Sequence, residues 1–121
     1  MARVGNQVVV ILWRDIPAQV NAQFGRERHQ IMLSAKFQRA IDRAKRKAHI
    51  YTADEDVAQW RRISIEFTGD PKESAQMEAD RIESEYSRRR LGVLAFAGGY
   101  ENNVKQDSVA AHELAALEEL Q

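Results

Sequence analysis

The chain has 121 residues, room for one domain and little more. Eighteen basic and eighteen acidic residues cancel, and 44% hydrophobic with 30% charged residues is an ordinary globular balance that excludes bulk disorder. The absence of cysteine excludes a disulfide framework, a thiol nucleophile and cysteine-ligated zinc or iron–sulfur, and no apolar run of roughly eighteen residues is present to cross a membrane.

Val8-Val9-Val10-Ile11-Leu12-Trp13 is a β-branched and aromatic run that reads as a strand buried on both faces. Pro17 removes an amide donor soon after, so the ladder is expected to break or bulge there, or to lie at an edge. Residues 18–33 read as a β-hairpin turning at Gly25. Ser34 is a plausible N-cap for a helix whose apolar stripe is Phe37, Ala40, Ile41, Ala44 and Ala48. Lys36, Arg39, Arg43 and Arg46 form a second, basic stripe on that helix, with Lys45 and Lys47 beside it. Thr52 and Glu55 have capping-box spacing and predict a short helix through Val57 and Trp60. Ile63–Phe67 alternates as a strand. Asp70-Pro71-Lys72-Glu73 then opens a long helix, predicted to run from Pro71 to about Ala97 and to stop at Gly98-Gly99. Its stripe is Ala75, Ala79, Ile82, Tyr86, Val93 and Phe96, interrupted by Arg89. Asp107-Ser108 caps a last amphipathic helix carrying Leu114, Leu117 and Leu120.

Strands followed by helices, without βαβ alternation, predict an α+β fold. The expected architecture is a mostly antiparallel sheet of about four strands with helices on one face. Residues 1–98 form the domain, and residues 99–121 form a linker and a C-terminal helix. The start, Met1–Val4, lacks the charged and long apolar stretches of a signal peptide, so a cytoplasmic location is expected.

The zero total charge hides a split. Residues 1–48 hold ten basic and three acidic residues, whereas residues 49–121 hold eight and fifteen. Such a split is served either by two solvated faces or by a basic surface for an anionic partner.

The segment Val9–Val20, with its Trp13-Arg14-Asp15-Ile16-Pro17-Ala18-Gln19 string, resembles the opening of a small bacterial family known as the virulence factor domain. The likeness continues through Gly25-Arg26, Phe37–Ala44, Trp60-Arg61-Arg62, Glu78-Ala79 and Glu85-Tyr86, over roughly residues 4–97. Relatives of this kind occur as short stand-alone proteins and fused to HEAT-like repeats. The family's name records a phenotype, so the resemblance implies an accessory or interaction role and supplies no catalytic residues.

The candidate sites are surfaces. Trp13, Arg14, Asp15, Pro17 and Gln19, with Arg26 and Arg28 from the hairpin, suggest a docking or anion-recognition edge, because arginine can grip a carboxylate or phosphate through two parallel bonds. The competing reading is an Arg14–Asp15 pair that fixes the strand end over a core Trp13. Lys36, Arg39 and Arg43 begin a basic helix face that could meet an acidic protein surface. That face has no interleaved aromatics to stack bases, so weak nucleic-acid binding through the basic helix 36–47 ranks as a further alternative and nucleic acid is not the expected partner. His29, His49 and His112 have no metal-ligand spacing, and no serine sits in a nucleophile elbow. No cofactor is expected. Asp54, Glu55 and Asp56 suit the first turn of a helix, His49 suits a helix C-terminus, and Trp60 suits the core. The reading that results is a small non-enzymatic interaction module with a protein partner. An anion-binding or enzymatic domain built on Arg14, Asp15, Arg26 and Arg28 is the alternative. A homodimer through helix 71–97 is possible.

Overall fold

The computed structural model describes residues 6–106. Valine and isoleucine pack well on a pleated surface, and the first strand, β1 (Asn6–Trp13), is built from them. It is a central strand. It pairs antiparallel with β2 (Ile16–Phe24) on one side and with β4 (Trp60–Ile65) on the other, while β3 (Glu27–Met32) closes the order β3-β2-β1-β4. The sheet is therefore four-stranded and wholly antiparallel, with Gly25 in a left-handed conformation at the β2–β3 turn.

Pro17 acts as its chemistry requires. The register of β1 with β2 slips between Ile11 and Leu12, so that Ile11 faces Gln19 and Leu12 faces Pro17. Ala18 is the extra residue of this bulge, and its carbonyl accepts instead from the Leu33 amide at 3.2 Å.

Val8, Val10, Val20 and Ala22 form the apolar floor on which the helices lie. Helix α1 (Ala35–Lys47) buries Phe37, Ala40, Ile41 and Ala44, the stripe expected from its spacing. Helix α3 (Pro71–Glu85) lies across β2 and β1 and buries Ala75, Ala79 and Ile82. Helix α4 (Arg88–Phe96) packs on α1 through Leu91, Leu94 and Ala95. The short α2 (Ala53–Val57) leads into β4, and α5 (Glu101–Gln106) follows the last glycines.

Four local expectations are corrected. The long helix over 71–97 is two helices. Tyr86 leaves helical geometry at φ −100°, ψ 88°, and the Ser87 hydroxyl accepts from the Arg90 amide to cap a new helix. The break lets Tyr86 lie against Phe37, with ring centroids 5.9 Å apart. The small-residue stripe of α3, Ala75, Ala79 and Ile82, is covered by the chain's own sheet, so it is not the face that a homodimer through helix 71–97 could use. Trp60 opens β4 and lies beyond the end of α2. Ser34 occupies the N-cap position of α1 without capping it. Its hydroxyl and amide donate instead to the Glu83 carboxylate of α3 at 2.8 and 2.5 Å, which pins the two helices together. The Thr52–Glu55 capping box and the Asp70 cap form as the sequence predicts. The helix expected over 107–120 lies outside the described residues.

Candidate functional site

The Trp-Arg-Asp string sits where β1 turns into β2, and Arg14 holds φ at 53°. A left-handed arginine costs about 1–2 kcal/mol, so its surroundings must over-determine it. They do. Its amide donates to the Gln59 carbonyl at 2.9 Å, and its carbonyl accepts from Arg61 Nε at 2.8 Å. Its own Nε donates to Gln59 Oε1 at 3.0 Å, and its Nη1 donates to the Gly98 carbonyl at 2.8 Å. The guanidinium carbon lies 4.4 Å from the Tyr100 ring centre and 5.0 Å from that of Trp13.

Asp15 completes the clasp. One carboxylate oxygen accepts from Arg61 Nη2 at 2.7 Å, and the other accepts from the Glu101 amide at 2.9 Å. The Asp15 amide donates to the Gly99 carbonyl at 2.9 Å. Through two consecutive residues the β1–β2 turn is thus tied to the start of β4 and to the junction between α4 and α5.

Trp13 is fully buried. Its indole nitrogen donates to Asp56 Oδ1 at 2.9 Å, and that of Trp60 reaches Asp56 Oδ2 at 3.4 Å. Lys45 contributes an ammonium 2.8 Å from Oδ1. The Lys45 hydrogen bond, more than the two indoles, holds the Asp56 carboxyl below its ordinary range, and partial burial opposes the shift. An isolated aspartate beneath two tryptophans would be costly to ionise. Here three donors make it the hub of α2.

The expected docking edge is therefore corrected. Trp13 and Pro17 are buried, and Arg14 and Asp15 spend their polar groups inside their own chain. Arg14 and Asp15 also lie at the opposite end of β2 from Arg26 and Arg28. A nine-residue strand spans roughly 30 Å, so the four do not form one anion cluster. Lys36 is engaged as well, donating to the Glu83 carbonyl at 3.0 Å.

Two surfaces remain. The first is the sheet face opposite the helices. Strand alternation and register set Gln30, Asn21, Val9 and Ser64 in one row across four strands, with Gln23 and Gln7 in the next. Gln19 donates to Asn21 on this face at 3.1 Å. Arg28 and Arg62 flank a shallow cavity of about 380 Å³ above Val9. No carboxylate lines it, and neither arginine has an ion-pair partner among the described residues. Arg26 sits exposed in the neighbouring turn. Sequence reading found Gln19 and Arg28 but missed Arg62. Only the β1–β4 register, which sets Arg62 opposite Ile11, brings it to this face.

The second surface lies between α1 and α4, a groove of about 390 Å³ lined by Arg43, Arg46, Lys47, Gly92, Ala95 and Phe96. Arg39 stands one turn before Arg43 on the same side of α1. Among the described residues no cluster of three or more acidic or histidine groups is placed to hold a metal ion, and no helix is long and apolar enough to cross a membrane.

Residues 11–95 match the model of a family described as virulence factor. No curated protein and no solved structure matches the chain.

Proposed function

The chain belongs to the virulence factor family, and from that premise we propose that it is a small non-enzymatic interaction module, an accessory subunit or adaptor of a larger cytoplasmic assembly, that holds an acidic segment of a partner protein on the open face of its sheet. One observation carries this reading. Arg28 and Arg62 flank a carboxamide-rich face without a carboxylate of their own, whereas Arg14, Arg61, Arg81 and Arg90 are all engaged within the chain. Glutamine and asparagine side chains offer both donors and acceptors, which suits an extended polypeptide backbone. The two guanidinium groups suit its carboxylates. Exposed pairs of this kind contribute roughly 0.2–1 kcal/mol each. The charges therefore select and steer the partner more than they hold it.

The test is differential capture by the immobilised full chain at low salt, with bound partners quantified by mass spectrometry. The double variant Arg28→Glu/Arg62→Glu is expected to lose a stoichiometric partner that wild type and Arg39→Glu both retain. A partner retained equally by the sheet-face variant, or no stoichiometric partner at all, would overturn the reading.

A further inference from the structure

Apart from the open sheet face, we infer that the outer edge of β4 is the seat of a second copy of this chain, which pairs with it antiparallel about Ser64 and continues the sheet from one molecule into the other. β4 stands last in the strand order, with β1 on one side only. A strand in that position presents backbone donors and acceptors that no neighbouring strand uses.

The ladder shows which groups these are. The Arg14 amide donates to the Gln59 carbonyl at 2.9 Å, and these two residues continue the pairing of Trp13 with Trp60. In an antiparallel ladder every second opposed pair is the one that exchanges both hydrogen bonds. Leu12 with Arg61, Val10 with Ile63 and Val8 with Ile65 are therefore the bonded pairs of β1 and β4. The amides and carbonyls of Arg62 and Ser64 point the other way, out of the edge, as do those of Glu66 one step beyond the strand. None of these three residues has a hydrogen bond or ion pair elsewhere among the described residues.

The side chains along this edge complement their own copy. Arg62 and Ser64 lie on the open face. Ile65 and Phe67 both pack against the core, so the exposed Glu66 between them continues that face. On the other face Ile63 is 37% exposed, although Val10 opposite it is buried. Opposed residues of an antiparallel pair share a face, so the symmetric pairings are those centred on a residue. Centred on Arg62, two guanidinium groups stand opposite each other. Centred on Ile63, Arg62 meets only a serine. Centred on Ser64, each Arg62 meets Glu66 of the second copy and each Ile63 meets Ile65 of the second copy. A two-fold contact makes every such pair twice, so both arginines, both glutamates and both exposed isoleucines find partners. Strand addition of this kind draws its affinity from main-chain hydrogen bonds and its register from the alternate side chains. Because it engages Arg62, a second copy and the acidic partner proposed above compete for that residue.

Sedimentation velocity of the purified full chain tests the inference without any partner, so its failure leaves the reading of the open face standing. A monomer–dimer equilibrium is expected, with Kd below about 1 mM. Arg62→Glu sets like charges against Glu66 of the second copy, and Glu66→Arg sets like charges against Arg62 of the second copy. Each variant alone should dimerise at least about tenfold more weakly. Mixing the two should restore the dimer, and so should both substitutions in one chain, because opposite charges then face each other again. Ser64→Pro removes only an outward amide, which an edge strand tolerates, and should abolish the dimer. Arg62, Ser64 and Glu66 are exposed, and an unchanged melting temperature confirms that the variants fold. Amide exchange gives a second readout: Ile63 should be protected at every concentration, whereas Arg62 and Ser64 should gain protection only as the dimer forms. A chain that stays monomeric to about 1 mM would overturn the inference. So would a dimer that survives Ser64→Pro or both charge variants unweakened, or a mixture no stronger than either variant alone.

Discussion

Gly99 is the residue whose replacement tests the clasp most directly. It sits at φ +92°, and a Cβ there would meet Trp13 Cζ3 at 3.0 Å and the Arg14 side chain at 3.4 Å. Trp13 is fully buried and tied to Asp56, so it cannot swing aside without breaking that bond. Gly69 is the control, because its φ of +83° imposes similar backbone strain while its Cβ would meet nothing within 4 Å. Positive φ costs alanine about 1–2 kcal/mol at either position. Crowding a packed ring adds about 1–3 kcal/mol at Gly99 alone. Gly69→Ala should therefore lose about 1–2 kcal/mol and Gly99→Ala about 2–5 kcal/mol. Urea unfolding followed by tryptophan fluorescence reads both. With a slope of about 1–3 kcal/mol per molar urea, the two midpoints should differ by roughly 1 M. Equal midpoints would refute the claim that the Trp13 ring is immobile against this turn.

Three further outcomes follow from the same contacts. Asp56 has a folded pKa below its unfolded value, so its contribution is complete above the ordinary carboxylate range and is lost as pH falls through the folded value. Asp56→Asn should therefore lower stability near neutral pH and flatten its acid dependence, as measured by urea midpoints across the acid range. Ser87→Ala removes the acceptor that starts α4 and should cost about 1 kcal/mol in the same assay, with loss of hydrogen-exchange protection confined to the first turn of that helix. Burial raises the Tyr86 phenol above its ordinary range, so one tyrosine should ionise late in a spectrophotometric titration, and Tyr86→Phe should abolish that late step.

Much of this fold is legible in the sequence because local and global preferences agree. The β-branched run, the Gly25 turn, the α1 stripe and the Asp70-Pro71 helix start each satisfy a short-range rule that tertiary packing also favours. The failure at Tyr86 is instructive. Arg89 interrupts the expected stripe three residues beyond the break at Tyr86, yet propensity alone favours continuation through an arginine run. Three arginines in the first turn of α4 also oppose its dipole. Packing of Tyr86 against Phe37 and the Ser87 cap outweigh that penalty. The open-face site was half legible for a different reason. Gln19 and Arg28 lie in one hairpin, whereas Arg62 joins them through pairing across some fifty residues of sequence, which no local pattern encodes.

The most distinctive string in the chain explains itself as architecture. Trp13 fills the core, Arg14 threads between two aromatic rings to reach a glycine carbonyl, and Asp15 receives an arginine and an amide from two remote segments. The side chains of all three residues have polar partners inside the molecule, and replacing one leaves the others desolvated and unpaired. Recognition places the opposite demand on a residue, since a group must stay unsatisfied until the ligand arrives. Among the described residues, Arg28 and Arg62 over the carboxamide face and Arg39, Arg43, Arg46 and Lys47 along α1 have no ion-pair partner, so they are the groups that a proposed binding role can draw on.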